Sequence, residues 1–447
     1  MGTYLNRTPS SAGNRGIWTV SCWIKKSNPT HRTVLFGTPG SDNNSTMQFI
    51  LHQDSGVRFG VNSFNVFTTT NTFVMRDPSS WYHLVLSINT SEGSSDNRTK
   101  FYINGERFTN FDGNNLNSIT NGFQYGWNNT IAHTIGAEPT PTDYMDGYIT
   151  NFVNIDGQAL GPSSFGETDS TTGEWKPKAD LSGLTFGTNG FWQKYESAGN
   201  LGLDSSGNSN TYTVNNAGTG AQTVDTASNN FCTFNPLANR YANSTFTLGN
   251  LAVAMGASQS TFNAGTFGVS SGKWYFEMKP TALGSGTDNC LVGIVSRPDS
   301  TGTSDYLGEP TSVIYRNNGN YKKDSGNATY GASWTTSDIV MVAFDCDNNN
   351  IYFGTNGNWA NGSGSNNQAS PSSAIAFTNT MITEGIVFPA FGDLSTNAPE
   401  PAAQFNFGNP PFSISSGNAD ANGFGNFEYA VPSGYYALCT KNINSYG

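Results

Sequence analysis

Trp81-Tyr-His-Leu-Val-Leu-Ser-Ile-Asn89, a polar stretch around Asp96-Asn97, then Lys100-Phe-Tyr-Ile-Asn104-Gly105 make one short motif, and the chain repeats it. The second copy runs Asp338-Ile-Val-Met-Val-Ala-Phe-Asp345, turns at Asp347-Asn348-Asn349, and continues Ile351-Tyr-Phe-Gly-Thr-Asn356-Gly357. Each copy is an apolar strand, an Asp/Asn turn, an aromatic strand and an Asn-Gly pair. Asn and Gly accept the positive φ that a tight hairpin turn requires. The repetition predicts two all-β domains built on related sandwich plans.

Working outward, short strands recur between Gly, Asn and Asp on both sides of these hairpins. Ile17–Lys25 alternates aromatic and β-branched residues, and Gly147–Ile155 closes a first set. Lys273–Lys279, Cys290–Ser296 and Gln404–Phe407 belong to a second. Such spacing points to sandwiches or jelly rolls. Residues 166–230 are poor in apolar side chains and read as an ordered Gly/Asn/Ser-rich connector, with Phe186, Phe191, Trp192 and Tyr195 available to pin it. The expected division is 1–165, 166–230 and 231–447.

Composition narrows the function. Of 447 residues, 12% are charged, against roughly 25% in an average soluble domain. The net charge of −11 with 21 basic residues argues against nucleic acid, because phosphate binding needs clustered Lys and Arg. Lys25-Lys26 and Lys322-Lys323 are isolated pairs and read as solvated strand ends. No apolar run reaches the length of a membrane span, and the first residues lack the apolar core of an export signal. The cysteines are Cys22, Cys232, Cys290, Cys346 and Cys439, an odd number without CxxC. Cys22, Cys290 and Cys346 fall in phase with Val and Ile neighbours. That favours free core thiols over disulfides, and hence folding in a reducing compartment.

Catalytic patterns are weak. A glycosidase needs two carboxylates projecting from one surface; the nearest set is Glu167, Asp169 and Glu174, beside Gly and Pro at a domain end. Gly268-Val-Ser270-Ser-Gly272 has the nucleophile-elbow spelling, but a strand rather than a helix is expected after it. His31, His52, His83 and His133 are scattered, and His83 sits within a core strand pattern. The expectation is a protein that is not an enzyme. Two loop tryptophans are candidates for ligand contact: Trp127 with Tyr125 and Asn128, and Trp359 with Asn358. An indole in an Asn/Gly loop offers a stacking face beside hydrogen-bonding amides. The competing reading is that each ring folds back to plug its sandwich.

Five motifs in order, Trp18-Thr-Val-Ser-Cys-Trp-Ile24, Trp81-Tyr-His-Leu-Val85, Phe101-Tyr-Ile-Asn-Gly105, Ile135-Gly136 and Met145-Asp-Gly-Tyr-Ile149, resemble the laminin-G-like branch of the concanavalin A-like jelly rolls. Ile155-Asp-Gly-Gln-Ala-Leu-Gly-Pro-Ser-Ser-Phe-Gly166 is similar to the end of that domain in proteins of marine tailed bacteriophages. Gly272-Lys-Trp-Tyr-Phe-Glu277, Val292-Gly-Ile294, Asp338–Asp345, Phe388-Pro-Ala390 and Phe405-Asn-Phe-Gly408 with Pro411-Phe412 resemble the SPRY fold, with a departure at Asn361–Ser373, where a Gly/Ser/Asn segment extends the chain. The resemblance implies a virion protein assembled in the host cytoplasm and exposed on the particle as a fibre, spike or decoration. Its partners would be other virion proteins, further copies of itself and a host surface glycan or receptor. A purely structural virion role is the alternative, and a polysaccharide depolymerase is disfavoured. No cofactor is expected except a calcium ion, for which the resemblance makes Asp146 the candidate ligand.

Overall fold

The structure is a computed structural model; it describes all residues except 1, 41–45, 55, 63, 70, 141, 219, 239–243, 257–260, 286–288, 299–306 and 395–398. Contacts divide the chain into two units, Met1–Gln222 with Thr226–Ser228, and Thr223–Asp225 with Asn229–Gly447. Both are almost wholly β. Among the described residues the α-helices are Ser95–Arg98, Asn379–Glu384 and Thr440–Tyr446, and none is long and apolar enough to cross a membrane.

In the first unit two antiparallel sheets face each other. One runs Phe191–Gln193, Gly147–Asp156, Ile17–Lys26, Tyr82–Asn89, Thr99–Ile103, Glu106–Phe108. The other runs Gly113–Asn114, Phe64–Thr68, Val57–Val61, Met47–Leu51, Thr33–Thr38, His133–Ile135, Tyr4–Arg7, Thr213–Asn215. The two-residue side-chain period sets the register: Trp18, Val20 and Cys22 lie opposite Ile88, Leu86 and Leu84, and all six enter the inter-sheet core. The opposite face of the same strands is also buried. Val85, Val153 and Ile155 pack there against Phe165, Leu181, Phe186 and Trp192.

That second layer corrects the expected connector. Residues 166–222 belong to the first unit. Phe191–Gln193 pairs with Gly147–Asp156, Thr213–Asn215 pairs with Tyr4–Arg7, and Gly166–Thr168 forms a hairpin with Trp175–Pro177. Short edge strands and a covering layer need few apolar residues, so a Gly/Asn/Ser-rich composition concealed them.

The second unit has the same plan. Its longer sheet runs Thr245–Thr247, Ala252–Ala254, Pro401–Asn406, Lys273–Leu283, Val340–Asp345, Asn350–Thr355, Asn358–Ala360, Asn366–Gln368; its shorter one runs Thr261–Ala264, Phe388–Asp393, Leu291–Val295, Ser312–Arg316, Asn320–Lys323, Gly326–Thr329. Trp274, Phe276, Val292, Val342, Phe353 and Phe405 fill the space between them. The outer face of the longer sheet, with Tyr275, Met341 and Trp359, is covered by Phe427, Tyr435, Ala437 and Cys439 from the C-terminal segment. All five cysteines are buried and free.

The repeated hairpin is the common element. Asn104 and Asn356 have φ of 48° and 51°, followed by Gly105 and Gly357 at 89° and 83°. Each Asn side chain caps the partner strand in the same way: His83 N–H donates to Asn104 Oδ1 at 2.8 Å, and Ile339 N–H to Asn356 Oδ1 at 2.9 Å.

Candidate binding site

The loop indoles are internal. Trp127 is fully buried; its Nε1–H donates to Asn154 Oδ1 at 3.0 Å, and its ring lies 5.0 Å from Phe36 and 4.6 Å from His133. Tyr125 is buried edge-on to Trp18 at 5.4 Å. Asn128, also buried, adopts φ 63° and accepts from Asn154 Nδ2 at 2.8 Å. Trp359 is buried within the covered outer face of the second unit, leaving Asn358 exposed beside it. The expected stacking faces are thus plugs: an Asn/Gly loop can close over an indole as readily as present it. Trp127→Ala should therefore cost the first unit about 3–5 kcal/mol in denaturant unfolding. Asn358→Ala should stay within about 0.5 kcal/mol.

The other candidates also resolve into structure. Asp146 is half-buried, and burial raises its carboxyl pKa while His31 and Lys26 oppose the rise. Lys26 is buried, not solvated: its ammonium donates to the carbonyls of Pro29 (2.9 Å) and His52 (2.6 Å), and burial pushes its pKa down to about 8 against the pull of Asp54 and Asp146. The cationic neighbours His31 and Lys26 act on Asp146, and among the described residues no three His, Cys, Asp or Glu side chains gather to hold a metal. Lys25 is buried too, its ammonium 4.5 Å from the Tyr148 ring centre.

Glu167, Asp169 and Glu174 lie on the exposed hairpin Gly166–Thr168/Trp175–Pro177 and its turn. There the Lys176 ammonium, 2.7 Å from Asp169, holds that carboxyl well below its usual range. Ser270 precedes the strand Lys273–Leu283, so the elbow spelling lacks its helix. A Ser–His pair does exist: Ser21 Oγ is 2.8 Å from His83 Nε2. However, Trp175 Nε1–H donates to His83 Nδ1 at 2.9 Å. The ring's proton therefore sits on Nε2 and points at Ser21, so this nitrogen has no lone pair with which to deprotonate the serine.

In the second unit a 360 Å³ pocket lies between the hairpin Asn320–Lys323/Gly326–Thr329 and residues 362–376. Its walls include Tyr321, Lys323, Thr329, Tyr330, Ser373 and Ile375. Tyr321 and Lys323 share a strand face because they are two residues apart, and Tyr321 pairs with Ala328 across the hairpin. Tyr330 is buried; its hydroxyl donates to Ser373 O at 2.7 Å and accepts from Phe353 N–H at 3.2 Å, which ties the two walls together. Tyr321 stands edge-on to it at 6.0 Å. Lys323 Nζ donates to Ala376 O at 3.0 Å.

The sequence does not mark this site. Lys322-Lys323 reads as one solvated pair, but strand alternation separates the two: Lys322 meets Glu309 at 3.3 Å and Lys323 lines the pocket. The Tyr-x-Lys alternation was the available signal. The extension Asn361–Ser373, noted as a departure, supplies part of the opposite wall. It is shaped by Asn361, whose Oδ1 accepts from Ser363 N–H (2.8 Å) and Ser365 N–H (3.2 Å).

Residues 2–163 match the model of the concanavalin A-like lectin/glucanases superfamily, and residues 273–409 match that of the SPRY domain. No curated protein sequence matches the chain significantly. Similar solved structures include the SPRY domain of human HERC1, at 19% identity over 38% of this chain and 96% of that one with a TM-score of 0.30. Stonustoxin matches at 13% identity over 39% and 28% with 0.30, and the TRIM65 PSpry domain at 10% over 39% and 91% with 0.27. By its two family matches the chain carries a laminin-G-like, concanavalin A-like domain followed by a SPRY domain.

Proposed function

We propose that the chain is a non-catalytic binding protein of a tailed-phage particle and that it engages host surface glycans through the pocket of its SPRY domain. The observation that carries this reading is the pocket itself. At 360 Å³ it falls at the lower end of the roughly 300–1,000 Å³ of small-ligand sites. An aromatic ring, an ammonium and hydroxyls line it, groups that suit a sugar. The carboxylates Glu167, Asp169 and Glu174 lie outside it, on the exposed hairpin of the first unit and its turn. The virion assignment rests on the resemblance of residues 155–166 to phage domain ends and on five buried free thiols, which suit assembly in a reducing cytoplasm. Several copies on one particle would convert weak single-site affinity into firm attachment.

The test is a glycan array probed with the full chain and with Ala328→Trp, which fills the pocket from an exposed strand position. Glycan binding by the native chain and its loss in the variant is the expected result, with polymer length unchanged after incubation. Equal binding by both would move the site elsewhere. Absence of any glycan binding would favour a structural role, in which the exposed edge strand Gly326–Thr329 adds to a sheet of another virion protein.

A further inference from the structure

We propose that the sugar taken by this pocket bears a carboxylate and that Lys323 recognises it. The inference rests on the glycan reading above and specifies its ligand class. Three observations carry it.

The first is charge. Lys323 is the one cation among the pocket's lining residues, and none of them is Asp or Glu. The second is the state of that cation. Several lysines of the chain are matched with carboxylates, Lys322 with Glu309 at 3.3 Å, Lys273 with Asp345 at 2.9 Å and Lys176 with Asp169 at 2.7 Å, whereas the buried Lys26 is held by carbonyls alone. Lys323 has no carboxylate within ion-pairing distance among the described residues; its partner is the carbonyl of Ala376 at 3.0 Å. An ammonium has three N–H donors, so that bond fixes its position and leaves two donors for a ligand. The third is the setting. Thr329 and Ser373 line the same pocket, and among the described residues neither hydroxyl makes a hydrogen bond. An ammonium held at the pocket wall beside the Ser373 hydroxyl and the Tyr321 ring fits a pyranose carrying an acid group: charge-assisted bonds to the carboxylate, a hydroxyl for the ring's own hydroxyls.

The chain's net charge of −11 opposes a polyanion at long range, but at physiological salt that repulsion is screened beyond roughly 8 Å. Recognition is therefore local and falls on this one residue.

The experiment compares each acid with its neutral twin. Glucuronate, galacturonate and sialic acid oligosaccharides, and the methyl ester of each, are titrated calorimetrically into the full chain and into Lys323→Met, Lys323→Arg and Ala328→Trp. At least one acid should bind the native chain, with its ester weaker by about tenfold or more. The difference should shrink in high salt, vanish in Lys323→Met and largely return in Lys323→Arg. Thermal midpoints establish that each variant is folded. If acid and ester bind the native chain equally and Ala328→Trp abolishes both, the pocket binds glycans without reading a carboxylate and this inference falls alone. If no probe binds and the array is blank, the glycan reading falls with it.

Discussion

Acidification from pH 7 to pH 4 is expected to destabilise the first unit by about 6 kcal/mol, about 3 kcal/mol for each of its two buried imidazoles, through proton uptake by the unfolded chain. Burial pushes the pKa of His83 down to about 3 and that of His133 down to about 4. Geometry gives the reason independently. His83 Nδ1 accepts from Trp175 Nε1–H, and His133 Nε2 accepts from Asn128 N–H at 2.8 Å. Protonating either ring would set two N–H groups against each other in a buried space. His83 is also stacked on Trp23, with ring centres 4.6 Å apart, and its ring centre lies 5.9 Å from that of Trp175.

The sign follows from linkage. An unfolded imidazole titrates near 6.5, so between that value and the folded values the unfolded chain binds more protons and stability rises with pH. The contribution is complete above about pH 6.5 and is lost as pH falls toward 4 and 3. Asp156 acts the other way: burial raises its pKa, so it favours the folded state slightly in acid. The two histidines should dominate, and about 6 kcal/mol is a large share of the 5–15 kcal/mol that holds a typical domain. Denaturant titrations at several pH values, with His83→Gln as a comparison, provide the measurement. The variant should be weaker at pH 7 but lose one proton's worth of pH dependence. A flat native profile between pH 7 and 4 would mean that the rings are charged in the fold.

The core was legible because alternation is local: Trp18, Val20, Cys22 and Ile24 identify an inner face whatever lies elsewhere, and Asn-Gly at 104–105 and 356–357 marks two hairpins without further information. The outer layers were not legible, because what covers Val85 and Val153 comes, besides Phe165, from Leu181, Phe186 and Trp192, in a segment whose composition suggests a linker. A signal existed in the apolar residues on the nominally outward phase of those strands. For Trp127 no local signal existed. Its direction is decided by Asn154, on a strand 27 residues later. The pocket likewise depends on Tyr321 and Lys323 meeting residues 362–376, a contact made only by the finished sandwich.

Removing the Glu277 carboxylate is expected to cost the second unit at least about 3 kcal/mol, more than any surface charge would. Glu277 sits in the middle of Lys273–Leu283, on the same outward phase as Tyr275 and completely buried. Burial raises its pKa, and four hydrogen bonds pull against that rise. Tyr275 O–H (3.0 Å) and Tyr429 N–H (2.8 Å) donate to Oε1; Asn406 Nδ2 (3.0 Å) and Glu428 N–H (3.0 Å) donate to Oε2. Every donor is satisfied by this one side chain, and two of them are backbone groups of the segment covering the sheet's outer face. Glu277→Leu would leave all four donors facing hydrocarbon, at about 1–3 kcal/mol for each that stays buried. The chain's cheapest escape is to let water in by releasing the C-terminal segment. That release has its own reporter. Cys439 belongs to that segment and is buried where it packs on the sheet, and burial pushes its pKa up to about 11. In the native chain it should resist thiol reagents; in Glu277→Leu it should be modified, and trypsin should cut at Lys441, while Cys290 in the inter-sheet core stays protected. Glu277→Gln, which keeps one acceptor but turns an amide toward donors, should fall between the two. A Glu277→Leu chain with Cys439 still protected and stability within about 1 kcal/mol of native would mean that the apolar contacts of Phe427, Tyr435 and Ala437 hold the segment without the carboxylate.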